Sequence, residues 1–266
     1  MQILKRLLSG IFITIFVLGS CSGVWGSSGG LTSYRNNIRA YREARATYEL
    51  ARERYQKLGT LSSRDALTEA SHQLLLQGNA TLRSYFSYLL REVEEQEGVP
   101  GSFQEDSEKL VEQRLKVLSE LEQEIDTTES LIELDKLANE LNAVYTESEI
   151  HASYLQIVII LGRLGKLRKD VSEVATKVRT TVEENSTYPG RDTILGEWYQ
   201  KITAKLEDAE ESQVSLWESV ATFSTIEEQN DRARLLEDVG EKAAQPRQLV
   251  LEVIHHLLEI VRAQKY

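Results

Sequence analysis

From Thr32 to Leu58 tyrosine recurs every seven residues, at Tyr34, Tyr41, Tyr48 and Tyr55, while Ala44, Ala51 and Leu58 sit three positions after the last three. This alternation of threes and fours is an a/d seam held for four heptads, and it predicts a helix roughly 40 Å long. Tyrosine at seam positions implies a wet edge, because each buried hydroxyl needs a partner. The opposite face is rich in arginine: Arg35, Arg39, Arg42, Arg45, Arg52 and Arg54.

After a turn at Gly59-Thr60-Leu61, Ser62-x-x-Asp65 has the form of a capping box opening a second helix. Leu67, Leu74, Leu75, Leu82, Phe86, Leu89 and Val93 give that helix one apolar face, with Gly78 as its weak point, and Gly98-Val99-Pro100-Gly101 ends it. Ser102-x-x-Glu105 then reads as the cap of a third helix, with Leu110, Val111, Leu115, Leu118, Leu121 and Ile125 inward and a break at Asp126-Thr127-Thr128. From Glu129 the rhythm of threes and fours continues to Val182; Thr146-x-x-Glu149 could restart it, which leaves open one long helix or two. Tyr154 to Leu161 is apolar all round except for Gln156, so it is the most buried part of the body. Gly162 and Gly165, in the same helix, point to close backbone approach or a kink, and Arg163, Lys166, Arg168 and Lys169 beside them read as a solvated face. Pro189-Gly190 marks a turn, Asp192 a cap, and Leu195 to Phe223 a further amphipathic helix. The last segment begins at Ser224-x-x-Glu227 and is kinked or divided by Gly240 and Pro246.

Short loops between long amphipathic helices predict an all-α fold, an elongated antiparallel bundle of about six helices with coiled-coil-like packing. Its parts would be a hairpin over 32–100, a helical segment over 101–187 and a C-terminal hairpin over 188–266, or one bundle over 32–266. A composition rich in Leu, Glu, Lys, Arg and Ala with only three prolines agrees with helix nearly throughout.

The chain before this body has a different pattern. Lys5 and Arg6 precede a twelve-residue apolar run, Leu7 to Leu18, and the small residues Gly19 and Ser20 lead to Cys21. These are the parts of a secretory signal, and the cations stay on the cytoplasmic side, so the chain beyond them is exported. Leu18-Gly19-Ser20-Cys21 resembles the lipobox of bacterial lipoprotein precursors. The resemblance covers about twenty residues and implies cleavage between Ser20 and Cys21, with Cys21 the lipid-attachment site and the acylated first residue of the mature chain. It places the protein on a bacterial cell membrane, facing the periplasm or the cell exterior. Two acyl chains give the stable anchor that one alone does not. An uncleaved signal anchor and cleavage further along are the competing readings of the same stretch. In the lipoprotein class a residue such as Ser22 after the cysteine would not hold the product at an inner membrane. Residues 21–31 read as a Gly/Ser tether.

Charge narrows the partners. Removing residues 1–20 takes two of the 31 bases and none of the 42 acids, which moves the net charge from −11 to −13. An acidic body excludes nucleic acid, whose phosphates need a basic stripe. It also opposes adsorption onto anionic lipid, so membrane attachment rests on the acylated cysteine. Cys21 is the only cysteine, which excludes an internal disulfide.

Candidate chemistry is sparse. Glu-x-x-His occurs at Glu69–His72 and Glu252–His255, the pattern that builds di-iron sites in ferritin-like bundles. At about 100° per residue, however, Glu69, Glu252 and His255 point away from their helices' apolar faces and His72 lies at the boundary, so no metal or other cofactor is expected. No glycine-rich phosphate loop, HExxH or Gly-x-Ser-x-Gly is present. The expectation is a non-enzymatic scaffold in the cell envelope that presents a helical surface to a protein partner. Tyr34, Tyr41, Tyr48 and Tyr55 are its candidate interaction surface. The alternative is a small-ligand-binding protein with an aromatic pocket lined by those tyrosines or by Trp198, Tyr199 and Trp217.

Overall fold

The computed structural model describes residues 28–185 and 191–263. In chain order the elements are α1 (Ser28–Leu58), α2 (Leu61–Glu94), α3 (Gly101–Thr127), α4 (Leu131–Asn185), α5 (Arg191–Ala221), a 3-10 turn (Thr222–Thr225), α6 (Gln229–Lys242) and α7 (Ala244–Ala263). Every regular element among the described residues is helical, and the helices pack as bundles. Ser20, Cys21 and the Pro189-Gly190 turn lie outside the described residues.

Local chemistry explains most of the boundaries. Gly59 ends α1 in the left-handed region, at φ 61°, with its N–H donating to the Tyr55 carbonyl. Thr60, rather than Ser62, caps α2: the Ser63 N–H donates to Thr60 Oγ1 at 3.3 Å and the Ser63 hydroxyl to the Thr60 carbonyl. The third helix starts without its expected box. It opens at Gly101, with the amides of Phe103 and Gln104 turned onto the Pro100 carbonyl. Asp126-Thr127-Thr128 does end α3, where the hydroxyls of both threonines fold back onto the carbonyls of the preceding turn.

α4 is one helix of 55 residues. Thr146, the candidate restart, bonds its hydroxyl back to the Asn142 carbonyl at 3.0 Å and so stays inside the helix. α1 begins at Ser28, earlier than the tether pattern implies. Gly30 lies against Tyr88 of α2, and this packing overrides the weak helix preference of the Ser-Gly-Gly stretch.

The chain divides into two compact units, Met1–Arg91 with Asp106–Ala152, and Glu92–Glu105 with Ser153–Tyr266. The division falls within α2, α3 and α4 rather than at the loop near residue 100. In the first unit α1 runs antiparallel to α2: Tyr34 stacks on Tyr85, Asn37 Nδ2 donates to the Ala80 carbonyl, and Tyr41 touches Gly78. Arg114 of α3 pairs with Glu147 of α4 at 2.6 Å. The core of this unit holds Tyr41, Tyr48, Leu74, Phe86, Leu118 and Leu134. Gly78 does not break α2, which passes through it where Tyr41 and Leu141 converge on the buried glycine.

In the second unit α4 and α5 are antiparallel, shown by Tyr154 stacked on Phe223 at one end and Arg168 paired with Glu210 further along. α5 packs against α7 around Ile202, Ala209, Val250, Val253, Leu257 and Ile260. α6 and α7 are separated by the single residue Ala243, whose N–H still donates to the Val239 carbonyl. Pro246 lies in the first turn of α7, where a missing N–H leaves no helical bond unmade. The turn at 95–100 docks on α4 through Gly98, Gly162 and Gly165. Arg163 and Lys166 hold that turn by pairing with Glu92 at 2.5 Å and Glu97 at 2.8 Å. Together with Arg168, these cations are therefore engaged with neighbouring segments of the unit rather than forming a purely solvated face.

Candidate functional site

The tyrosine ladder does not form an exposed stripe. Tyr41 and Tyr48 are buried in the first unit, while Tyr34 and Tyr55 are half-buried. The seam positions that single them out are core positions, and the helices they face cover them. The phenols of Tyr34, Tyr41 and Tyr48 are pushed above the ordinary tyrosine range. Burial is the main cause at Tyr34, with Tyr85 and Tyr145 adding to it and Arg42 opposing it. Burial also dominates at Tyr41 and Tyr48, against the opposing charges of Arg45 and Arg52. These three hydroxyls stay neutral at ordinary pH.

The ladder's N-terminal end is an aromatic cluster that the heptads alone do not reveal. Tyr34 stacks on Tyr85 at 4.9 Å between ring centroids and lies parallel to Tyr88 at 6.4 Å. The signal available in the sequence is Tyr85-Phe86-x-Tyr88 on α2, of which the apolar periodicity uses only Phe86. Beside the cluster, α1 carries Arg35, Arg39 and Arg42, all exposed and spaced i, i+4, i+7 on one face.

Between α1 and α2 lies an open groove of about 510 Å³, floored by Ala40, Ala44, Ala66 and Ala70, with Glu43 and Glu69 among its lining residues. The two Glu-x-x-His pairs belong to different units. Glu69 is exposed and accepts a hydrogen bond from Gln73, and His72 is half-buried. Glu252 is paired with Lys205 and receives a hydrogen bond from Gln248, which together hold its carboxyl below the usual range, Lys205 contributing most. His255 is exposed beside Glu259, at 3.2 Å.

Trp198, Tyr199 and Trp217 do not share one pocket. Trp217 packs on Phe103 at 4.5 Å, and Trp198 is half-buried against the α5–α7 core. Tyr199 lines a cleft of about 320 Å³ between α4 and α5, whose other polar residues include Arg168, Arg179, Glu207 and Glu210. Arg168 is tied across this cleft to Glu210 at 2.7 Å, so its charge is already answered. The cleft offers hydrogen bonds and little apolar wall.

No protein-family model matches the chain, and no characterised protein or solved structure is significantly similar to it.

Proposed function

We propose that the chain is a non-enzymatic protein of a bacterial cell envelope, exported and tethered to a membrane by lipid on Cys21, whose helical surface binds another protein. The observation that carries this reading is the order Lys5-Arg6, the apolar run Leu7–Leu18 and Leu18-Gly19-Ser20-Cys21, placed directly before a helical body. The body supplies long helices whose outer faces keep apolar residues at heptad spacing. Ile160, Leu167 and Val174 recur every seven residues on α4, and Leu251 and Leu258 do so on α7. Such positions suit the apolar face of a partner helix.

The test is the mass of the N-terminal peptide of the native membrane-bound protein. A diacylglyceryl group on Cys21 is expected, and an unmodified cysteine in a cytosolic chain would sink the reading. Crosslinking in the intact envelope should recover a heterologous partner, and monomer alone would refute the scaffold role.

The second reading is a small-ligand-binding protein using the α4–α5 cleft. The observation in its favour is the grouping of Arg179, Tyr199 and Glu207 around one opening. Native mass spectrometry of the body after exposure to envelope extract would show an added mass if this is right, and a bare chain if it is not.

A further inference from the structure

The acids are distributed unevenly. All 42 carboxylate residues lie from Glu43 onward, so residues 1–42 contain bases and no acid. Within α1, seven basic residues stand against three acidic ones, and the three acids are Glu43, Glu49 and Glu53. The segment of α2 that packs beside the start of α1 is equally free of acid, from Ala70 to Arg91. The N-terminal turns of α1 and the facing part of α2 therefore carry bases and no acid, on a chain of net charge −11.

Its geometry is ordered. Arg35, Arg39 and Arg42 are exposed along one face of α1, beside the face on which Tyr34 meets Tyr85. Tyr34 and Tyr85 are themselves half-buried beside the arginines. Arginine with interfacial tyrosine is the combination that suits a phospholipid headgroup layer. The position is set by the chain: Cys21 precedes Ser28, the first residue of α1, by seven residues, which span at most about 25 Å when fully extended.

We infer that the Arg35–Arg39–Arg42 face of α1 docks on the anionic phospholipid surface to which Cys21 is tethered, as a second membrane signal beside the acyl chains. For its reach this rests on the lipid-anchor reading above. It reverses the expectation drawn from net charge, because headgroups within a Debye length, about 10 Å at ordinary salt, respond to the local stripe rather than to distant acids.

The experiment uses the chain from residue 21 onward with Cys21→Ser, which keeps every described residue and removes the acyl site. It is sedimented with vesicles of phosphatidylcholine alone or mixed with phosphatidylglycerol. Binding should require phosphatidylglycerol and be lost at high salt. Each arginine near such a surface is worth about a fivefold gain in partitioning, so Arg35→Glu/Arg39→Glu should weaken binding about twentyfold or more. Arg54→Glu/Lys57→Glu, the same charge change at the far end of α1, should retain most of it. Equal binding to both vesicle types, equal loss in the two double variants, or no binding at low salt would each overturn the inference. Circular dichroism of each variant checks that the helices persist. The mass of native Cys21 is read separately, so vesicle binding with an unmodified cysteine would sink the anchor and leave this docking face standing.

Discussion

Gly98 lies against Gly162 so closely that a Cβ added to Gly98 would overlap the Gly162 carbonyl oxygen and stand 2.8 Å from the Lys166 amide nitrogen. The turn and the helix meet backbone to backbone, with no side chain between them. Around this contact the second unit arranges its polar groups. Gln213 of α5 donates Nε2 to the Leu161 carbonyl at 2.9 Å, in space that Gly165 leaves open, since a Cβ there would stand 2.7 Å from Nε2. Glu92, buried and paired with Arg163, closes one flank, and Glu97 with Lys166 the other.

Space decides what a methyl group does at this contact. Gly162→Ala places one into Val99 and the turn backbone, and Gly98→Ala places one into α4 itself. Forcing atoms into a packed site costs about 1–3 kcal/mol. Gly162→Ala recovers part of this from helix propensity, about 1 kcal/mol, whereas Gly98→Ala lies in a turn and recovers little. Urea unfolding should therefore rank Gly98→Ala below Gly162→Ala, and both below the parent.

Gly78 is the opposite case. A Cβ there would stand 3.6 Å from both Leu141 and Tyr41, an ordinary van der Waals contact, and the backbone is helical. Gly78→Ala should raise the stability of the first unit by about 0.5–1 kcal/mol, through helix propensity and a less flexible unfolded chain. A fall in the unfolding midpoint would show that Tyr41 and Leu141 cannot accept the methyl group.

How far such features can be read from the sequence depends on whether they are set locally. The helices from Thr32 onward, the break at Thr127-Thr128 and the close approach at Gly162 and Gly165 follow from spacing along one chain segment. So does the burial of Tyr154, Leu155 and Val158, whereas Ile160 in the same stretch is exposed. The α2 cap lies two residues from its expected place because Thr60, directly after Gly59, is also a capping residue and is the one that bonds to Ser63. The docking of Gly98 is not legible, because nothing local to the Gly-Val-Pro-Gly breaker says which helix it will meet. The tyrosine ladder is legible as a seam. Which rings it meets across the helix pair is set by α2, where Tyr34 finds Tyr85 and Tyr88 and Tyr41 finds Gly78.

Asn79 tests a buried polar contact of the first unit. It is fully buried, and its Nδ2 donates to the Leu118 carbonyl at 2.7 Å, while Oδ1 has no hydrogen-bond partner among the described residues. Leucine of similar volume removes the unmet acceptor along with the hydrogen bond, so Asn79→Leu should change stability by less than about 1 kcal/mol. Asn79→Asp puts a charge where only a carbonyl faces it and should cost about 3 kcal/mol or more at neutral pH. The loss should shrink at low pH as the carboxyl takes up its proton. A pH-independent loss would mean that shape, not charge, is what the site rejects.

The Glu97–Lys166 pair predicts an acid-side titration. Lys166 holds the Glu97 carboxyl below 4.5, first by its hydrogen bond and then by its charge, and Glu97 in turn raises Lys166 above 10.5. A lowered carboxyl stabilises the folded state above its unfolded pKa, and that contribution is lost as pH falls through the folded one. Both groups are exposed to solvent, so the effect on stability is small, and the clearer readout is the titration of the carboxyl itself. By NMR, Glu97 should titrate below 4.5 in the parent and move up towards 4.5 in Lys166→Gln. An unchanged midpoint would remove Lys166 as the cause.

Alkali should act on the first unit through its tyrosines. Burial raises Tyr34, Tyr41 and Tyr48 above their ordinary value of 10.0, so the folded chain keeps protons that the unfolded chain gives up. A raised folded pKa contributes stability that is complete below the unfolded value and disappears as pH rises through the folded one. Stability should therefore be flat up to about pH 10 and fall beyond it. Tyrosinate absorbance from Tyr34, Tyr41 and Tyr48 should rise only above about pH 10, together with the loss of helix. Tyr34→Phe keeps the ring against Tyr85 and removes one titrating group, so it should flatten the alkaline fall without changing the neutral plateau by more than about 1 kcal/mol. A single absorbance step near about pH 10, with the helices intact, would show that these phenols are open to solvent and that the ladder is not core.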